Sequence, residues 1–184
     1  DPNSGCYAVI YFDGFAKEGN ARIRVVHYDG THKQLNTANY FAPENKYKYL
    51  RYIGAVVDSN KRVYIATYGY NGKINEDKNP GVIVSKLNVG ETAFLHNVTK
   101  VSNDFNDTKS VMLYNRNTNR IQLLTATFTK DNTPMWERAF WTGASFEIFG
   151  KRKMYCLSLL SYFDAETLGV ISVKPIAGNK IDAY

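Results

Sequence analysis

The segment from 40 to 52 holds the densest mixture of aromatic and basic side chains in the chain. It reads YFAPENKYKYLRY. Because side chains alternate along a strand, Tyr47, Tyr49 and Arg51 would face one side of it, and Lys48 and Tyr52 the other. Tyrosine rings stack on sugars, and cations pair with a sulfate or a carboxylate. The segment predicts a platform for a sugar or an anion. The alternative is an outer strand whose tyrosines pack inward while its lysines protect the edge.

A tryptophan near a proline is the second candidate for ligand contact. Trp136 follows Pro134 and precedes a second tryptophan, Trp141. A tryptophan beside a loop is a frequent interface anchor and equally a frequent core residue, so both interpretations stay open. The predicted ligand-binding residues are Tyr47, Lys48, Tyr49, Arg51, Tyr52 and Trp136.

Side chains that could support catalysis or bind a metal are scattered along the sequence. His27, Asp29 and His32 lie close together, but a metal site needs a third or fourth donor that the neighbouring sequence lacks. No serine lies in the Gly-x-Ser-x-Gly pattern of an activated nucleophile, and His96 has no cysteine near it. We therefore expect no metal, no cofactor and no catalytic residue. The pattern favours a binding protein over an enzyme.

Two cysteines and two sequons depend on where the protein is made. Cys6 and Cys156 are the only cysteines in the chain. They form either a disulfide that closes a long loop or two buried thiols. Asn97 and Asn106 each begin an Asn-x-Thr sequon, which carries a glycan only in a secreted protein. Both questions stay open at the level of the sequence.

Composition indicates a folded protein with a slightly basic surface. The chain has 184 residues, of which 44% are hydrophobic and 14% aromatic, enough to bury a core. Its net charge of +6 would attract anionic partners, but no nucleic-acid-binding motif is present, so we expect no nucleic acid. Apolar stretches such as 156–163 are shorter than the roughly 20 residues that cross a bilayer, so we expect no membrane insertion.

Short apolar segments separated by turn residues recur along the whole chain, which is typical of an all-β fold. Two of them, 55–67 and 112–126, share one pattern, in which an apolar run meets a polar cluster and an arginine opens a second apolar run. We interpret residues 1–184 as one antiparallel sandwich or barrel of about a dozen short strands, joined by hairpins and a few long loops. The predicted strands are 6–12, 21–28, 47–57, 63–68, 81–87, 92–98, 110–114, 120–129, 138–141, 145–149, 154–163 and 169–174.

Three phrases of the chain, taken together, carry a resemblance to a known class of protein. They are VIYFDG at 9–14, SVMLY at 110–114 and LLSYF at 159–163. With the tyrosine-rich all-β composition, the chain resembles the receptor-binding head of a viral surface protein, and is most similar to the capsid spike domain of astroviruses. The resemblance rests on no diagnostic motif and assigns no residue a role.

The resemblance implies a non-enzymatic, usually dimeric spike on the surface of the virion, which binds a host-cell receptor or glycan and is a target of antibodies. It also implies assembly in the cytosol, with both sequons unused and both thiols free. The alternative function is that of a secreted, lectin-like or sialidase-like carbohydrate-active β protein. A glycan at Asn97 or Asn106, or a bridge between Cys6 and Cys156, would favour that alternative.

Overall fold

The computed structural model describes residues 4–12, 23–72, 79–101, 107–130 and 154–176. These residues form eleven strands and one short 3-10 turn, at Pro43–Asn45. The strands are β1 (Tyr7–Phe12), β2 (Ile23–Tyr28), β3 (Gln34–Tyr40), β4 (Tyr49–Val57), β5 (Val63–Tyr70), β6 (Gly81–Leu87), β7 (Leu95–Lys100), β8 (Asp107–Asn115), β9 (Arg120–Lys130), β10 (Met154–Asp164) and β11 (Val170–Ile176).

The strands form three antiparallel sheets in which chain neighbours pair with each other. The first sheet has the order β1-β2-β3, the central sheet β4-β5-β6-β7, and the third sheet β11-β10-β9-β8. Strands that pair with their chain neighbours in an antiparallel sheet need only short connections. The predicted all-β sandwich joined by hairpins is confirmed.

The central sheet is covered on both of its faces. Tyr64 and Tyr68 of β5 lie in a core with Met112 and other residues of the third sheet. Val63 and Ile65, which alternate with them, lie in a second core with residues of the first sheet. An antiparallel sheet commonly has one face in water, whereas here β5 and β6 are buried almost throughout. The sandwich therefore has three layers.

The repeated sequence pattern forms two hairpin turns that share two features. In each loop, the residue just before the arginine has a positive φ, of 63° at Lys61 and 49° at Asn119. A side-chain oxygen at the start of each loop accepts a backbone hydrogen bond, from Asn60 to Asp58 at 2.9 Å and from Thr118 to Asn115 at 3.2 Å. Such turn chemistry is local, which is why the sequence predicts both turns.

The structure corrects several predicted elements. β3 is absent from the predicted strands, because its Gln34, Asn36 and Asn39 resemble a loop. β4 begins at Tyr49 instead of 47, and β7 spans Leu95–Lys100 instead of 92–98. The predicted strands 138–141 and 145–149 lie outside the described residues.

Candidate functional site

Three tyrosine rings form a continuous row at one end of the central sheet. Tyr49 of β4 is opposite Tyr70 of β5, and their rings stack with centroids 5.1 Å apart. Tyr68, two residues before Tyr70 and on the same face, stacks on Tyr70 at 5.4 Å. Tyr68 is only 4% exposed, whereas Tyr49 and Tyr70 are half-buried. This tyrosine row therefore begins in the core between the central and third sheets and ends at the surface.

Two basic side chains lie along the row, Lys48 at its surface end and Arg51 opposite Tyr68. The Nζ of Lys48 lies 5.6 Å from the centroid of the Tyr49 ring, within the range of a cation–π contact. Arg51 is exposed and is opposite Tyr68 across the β4–β5 pair, so it shares a face with Tyr49. We call Lys48, Tyr49, Arg51 and Tyr70 the basic tyrosine platform.

Tyr47 lies on the opposite face of the central sheet. A Cβ at Gly69 would point into the first-sheet side and would lie 2.6 Å from Cγ of Tyr47, so the ring covers this glycine. Gly81, which is opposite Gly69, also lies beneath the ring. The prediction that Tyr47 shares a face with Tyr49 and Arg51 is wrong, because the chain joins the strand ladder only at Tyr49.

Tyr52, another of the predicted ligand contacts, lies away from the platform. Tyr52 is on the first-sheet side, where its ring packs edge-on against Phe12 at 4.9 Å. Lys48 belongs to the platform because its Nζ lies over the Tyr49 ring, although the alternation of side chains along a strand predicts that it faces the other side. Trp136 lies outside the described residues. The structure thus brings together three of the six predicted residues, Lys48, Tyr49 and Arg51, and adds Tyr70.

A buried ion network lies at the other end of β5. Asp58 and Arg62 form an ion pair through Nε at 2.7 Å, and Arg62 also binds the carboxylate of Glu166 in the β10–β11 turn. Burial disfavours the charge of Arg62, but the hydrogen bonds to Glu166 and Asp58 outweigh it and raise the pKa of the guanidinium. Lys86 donates to the carbonyl of Glu166. The network joins the central sheet to the third sheet.

The histidines do not assemble into a metal site. His27 is fully buried, and its Nδ1 lies 3.2 Å from Oδ1 of Asn36. His32 is at the surface, 3.0 Å from the hydroxyl of Tyr7. Across the described ranges, no three side chains of His, Cys, Asp or Glu are grouped so that they could hold a metal ion.

A row of buried hydroxyls is the feature that sequence reasoning missed. The hydroxyl of Tyr40 lies 2.8 Å from Oγ1 of Thr67 and 3.1 Å from Oγ of Ser85. Ser85 in turn is 2.8 Å from Nδ1 of His96. A serine between Ile83 and Leu87 on a buried face was the available signal, since a buried hydroxyl needs a partner. Ser85 is fully buried, and its hydroxyl contacts both Tyr40 and His96. The Ser85–His96 contact therefore fits an internal hydrogen-bond network and not an accessible nucleophile.

The cysteines and sequons remain only partly described. Cys6 is buried, with Sγ 3.8 Å from the carbonyl oxygen of Ser4. Cys156 lies on β10 and its side chain is outside the described part, so the bridge and the two buried thiols both stay predictions. Asn97 is half-buried on β7, an edge strand, and Asn106 lies outside the described residues.

Comparison with family models, with curated proteins and with solved structures finds no match to this chain. Within the part of the chain that the structure describes, no helix has the length and apolar character needed to span a membrane. The chemistry of the platform is therefore the basis for a functional proposal.

Proposed function

We propose that this chain is a non-enzymatic attachment domain whose basic tyrosine platform binds an anionic glycan on a host-cell receptor. The observation that carries the proposal is the stack of Tyr49 on Tyr70 with Lys48 over the outer ring. This function agrees with the sequence resemblance to viral capsid spikes. On that proposal the domain lies on the surface of the virion, forms homodimers and is bound by antibodies.

The platform combines the two kinds of contact that an acidic sugar needs. A half-buried ring offers a flat apolar surface for the C–H face of a sugar, and the basic groups pair with its sulfate or carboxylate. The charge of +6 would add attraction for such ligands at a distance. A single platform of this size would bind weakly, and repetition on a particle would make attachment strong.

The tyrosine row also favours a rigid platform. Tyr70 is held between Tyr49 and the buried Tyr68, so the Tyr49 ring rests on an immobile support and loses little side-chain freedom when a ligand packs against the platform. Ordering a mobile side chain at an interface costs about 0.5–1.5 kcal/mol. A pre-formed stack avoids part of that cost.

The proposal is tested by comparing Tyr49→Ala with Tyr11→Ala on an array of sulfated, sialylated and neutral glycans. Tyr11 is a suitable control because it is an exposed tyrosine with a cation, Arg24, 4.7 Å from its ring centroid, but it belongs to the first sheet. We expect Tyr49→Ala to lower binding to anionic glycans by about tenfold, which corresponds to about 1.4 kcal/mol. Equal losses in the two variants, or wild-type binding by Tyr49→Ala in a folded protein, would refute the proposal.

A further inference from the structure

A cleft opens on the side of the central sheet that faces away from the platform. Its volume is about 840 Å³, and it lies between the end of β3 with the turn that follows and residues 92–96, which include the start of β7. β7 pairs with β6 from Leu95, opposite Lys86, to Lys100, opposite Gly81. The cleft is at the Leu95 end of this pair, whereas Tyr70 of the platform is at the Gly81 end of β5–β6. The two sites therefore lie at opposite ends of the sheet.

Aromatic side chains form the apolar wall of the cleft. Phe41 lines it with 45% of its surface exposed, and Phe94 lines it half-buried. Phe94 is fixed by an edge-on contact with the buried Tyr40, with centroids 5.2 Å apart. A concave surface lined by aromatic side chains is typical of a ligand site.

The polar groups that line the cleft are mostly uncharged. Thr37 and Asn39 lie on the face of β3 opposite to Tyr40, and His96 from β7 contacts Tyr40, so the polar groups lie on two rims of the cleft. Burial lowers the pKa of His96, so its imidazole is neutral at physiological pH. The one carboxylate of the lining, Glu44, forms an ion pair with Lys46. The lining therefore suits a ligand without net charge.

The buried hydroxyl row orients the imidazole of His96. Its Nδ1 is held by Ser85, and its ring packs edge-on against Tyr40 at 5.7 Å. With Nδ1 engaged inside the protein, the imidazole has one ring nitrogen left for a ligand. The row thus links the core of the domain to the cleft and gives His96 a fixed orientation.

We propose that this cleft is a second binding site, which takes an uncharged pyranose residue. The C–H face of the sugar packs on Phe41, and its hydroxyls bond to Asn39 and Thr37 on one rim of the cleft and to His96 on the other. An aromatic wall with a few fixed hydroxyl, amide and imidazole groups is the chemistry that recognises a neutral sugar. The site is independent of the platform, which binds the anionic group.

The test is saturation-transfer NMR and calorimetric titration with uncharged methyl pyranosides, at concentrations up to about 10 mM, where even millimolar affinity is visible. We expect at least one glycoside to bind the wild-type protein saturably. Phe41→Ala should weaken it by about tenfold or more. Phe12→Ala is the matched control, because Phe12 is also an exposed phenylalanine, on β1, and it should bind as the wild type does.

A second pair of variants separates the cleft from the platform. Asn39→Ala should weaken the neutral glycoside and leave anionic glycan binding unchanged, and Tyr49→Ala should do the reverse. The proposal is overturned if no methyl pyranoside binds, if Phe12→Ala loses as much affinity as Phe41→Ala, or if the cleft is occupied only by an extended peptide paired with the edge of β3. Loss of anionic binding alone would refute the platform and not the cleft.

Discussion

Replacing Asp58 by alanine should destabilise the domain more than any other change in a hairpin turn. Asp58 is fully buried. Its carboxylate accepts hydrogen bonds from the backbone of Asn60 at 2.9 Å, from the backbone and Nε of Arg62 at 2.8 and 2.7 Å, and from the Tyr64 hydroxyl at 2.9 Å. One side chain therefore serves a turn, an ion pair and a buried phenol.

The expected loss of stability follows from the groups that Asp58 leaves without a partner in the variant. Removing one partner of a buried ion pair costs about 3–5 kcal/mol, because the other charge stays buried without compensation. The carboxylate of Glu166 still contacts the Arg62 guanidinium and reduces this cost, while the stranded backbone amides add to it. We expect about 4 kcal/mol, a large fraction of the 5–15 kcal/mol that holds a typical domain together.

Equilibrium unfolding in urea measures this loss, and Asp29 provides the matched control. Asp29 has the same turn chemistry, since its Oδ1 accepts from the backbone of Thr31 at 2.9 Å and of Lys33 at 3.0 Å. Among the residues that the structure describes, no arginine forms an ion pair with Asp29, so Asp29→Ala should lose much less stability. If Asp58→Ala unfolds at the same urea concentration as Asp29→Ala, the buried network does not stabilise the fold.

Two further predictions concern stability. Burial lowers the pKa of His27 and of His96 below 6.5. Because the unfolded chain then takes up protons before the folded protein does, the free energy of unfolding should decrease as the pH falls from 7 to 5.5. An NMR titration in which either imidazole titrates at or above 6.5 would contradict this. Gly69→Ala places a methyl group against the Tyr47 ring and should cost about 1–3 kcal/mol. In a Tyr47→Ala background the same change should cost less, and equal costs in both backgrounds would show that the ring does not cover Gly69.

Features set by local chemistry could be predicted from the sequence, whereas those set by distant partners could not. The turns at Asp58 and Asn115 are local, because a side-chain oxygen bonds a backbone amide within the same loop. β3 could not be predicted because its polar residues resemble a loop, and its buried Asn36 and Tyr40 find their partners in distant segments. Asn36 donates to the carbonyl of Glu91 at 2.8 Å, and Tyr40 reaches β5 and β6.

In the candidate site too, features set by local chemistry could be predicted and features set by distant partners could not. Alternation along β4 correctly separates Tyr49 and Arg51 from Tyr52. It could not show that Tyr70 completes the platform, because that contact depends on the register between β4 and β5. Nor could it show that Tyr47 crosses to the other face, since the strand period applies only to residues within the ladder. The third layer could not be predicted from the sequence, because burial on both faces removes the alternation of polar and apolar residues from β5.

Mapping amide chemical shifts during titration with a sulfated or sialylated glycan tests the attachment surface most directly. The platform predicts that the largest shifts fall at Lys48, Tyr49, Arg51 and Tyr70, and that they weaken with added salt because charged contacts are screened. Shifts that concentrate on the first sheet, or that are unaffected when Lys48 and Arg51 are both replaced by alanine, would contradict it.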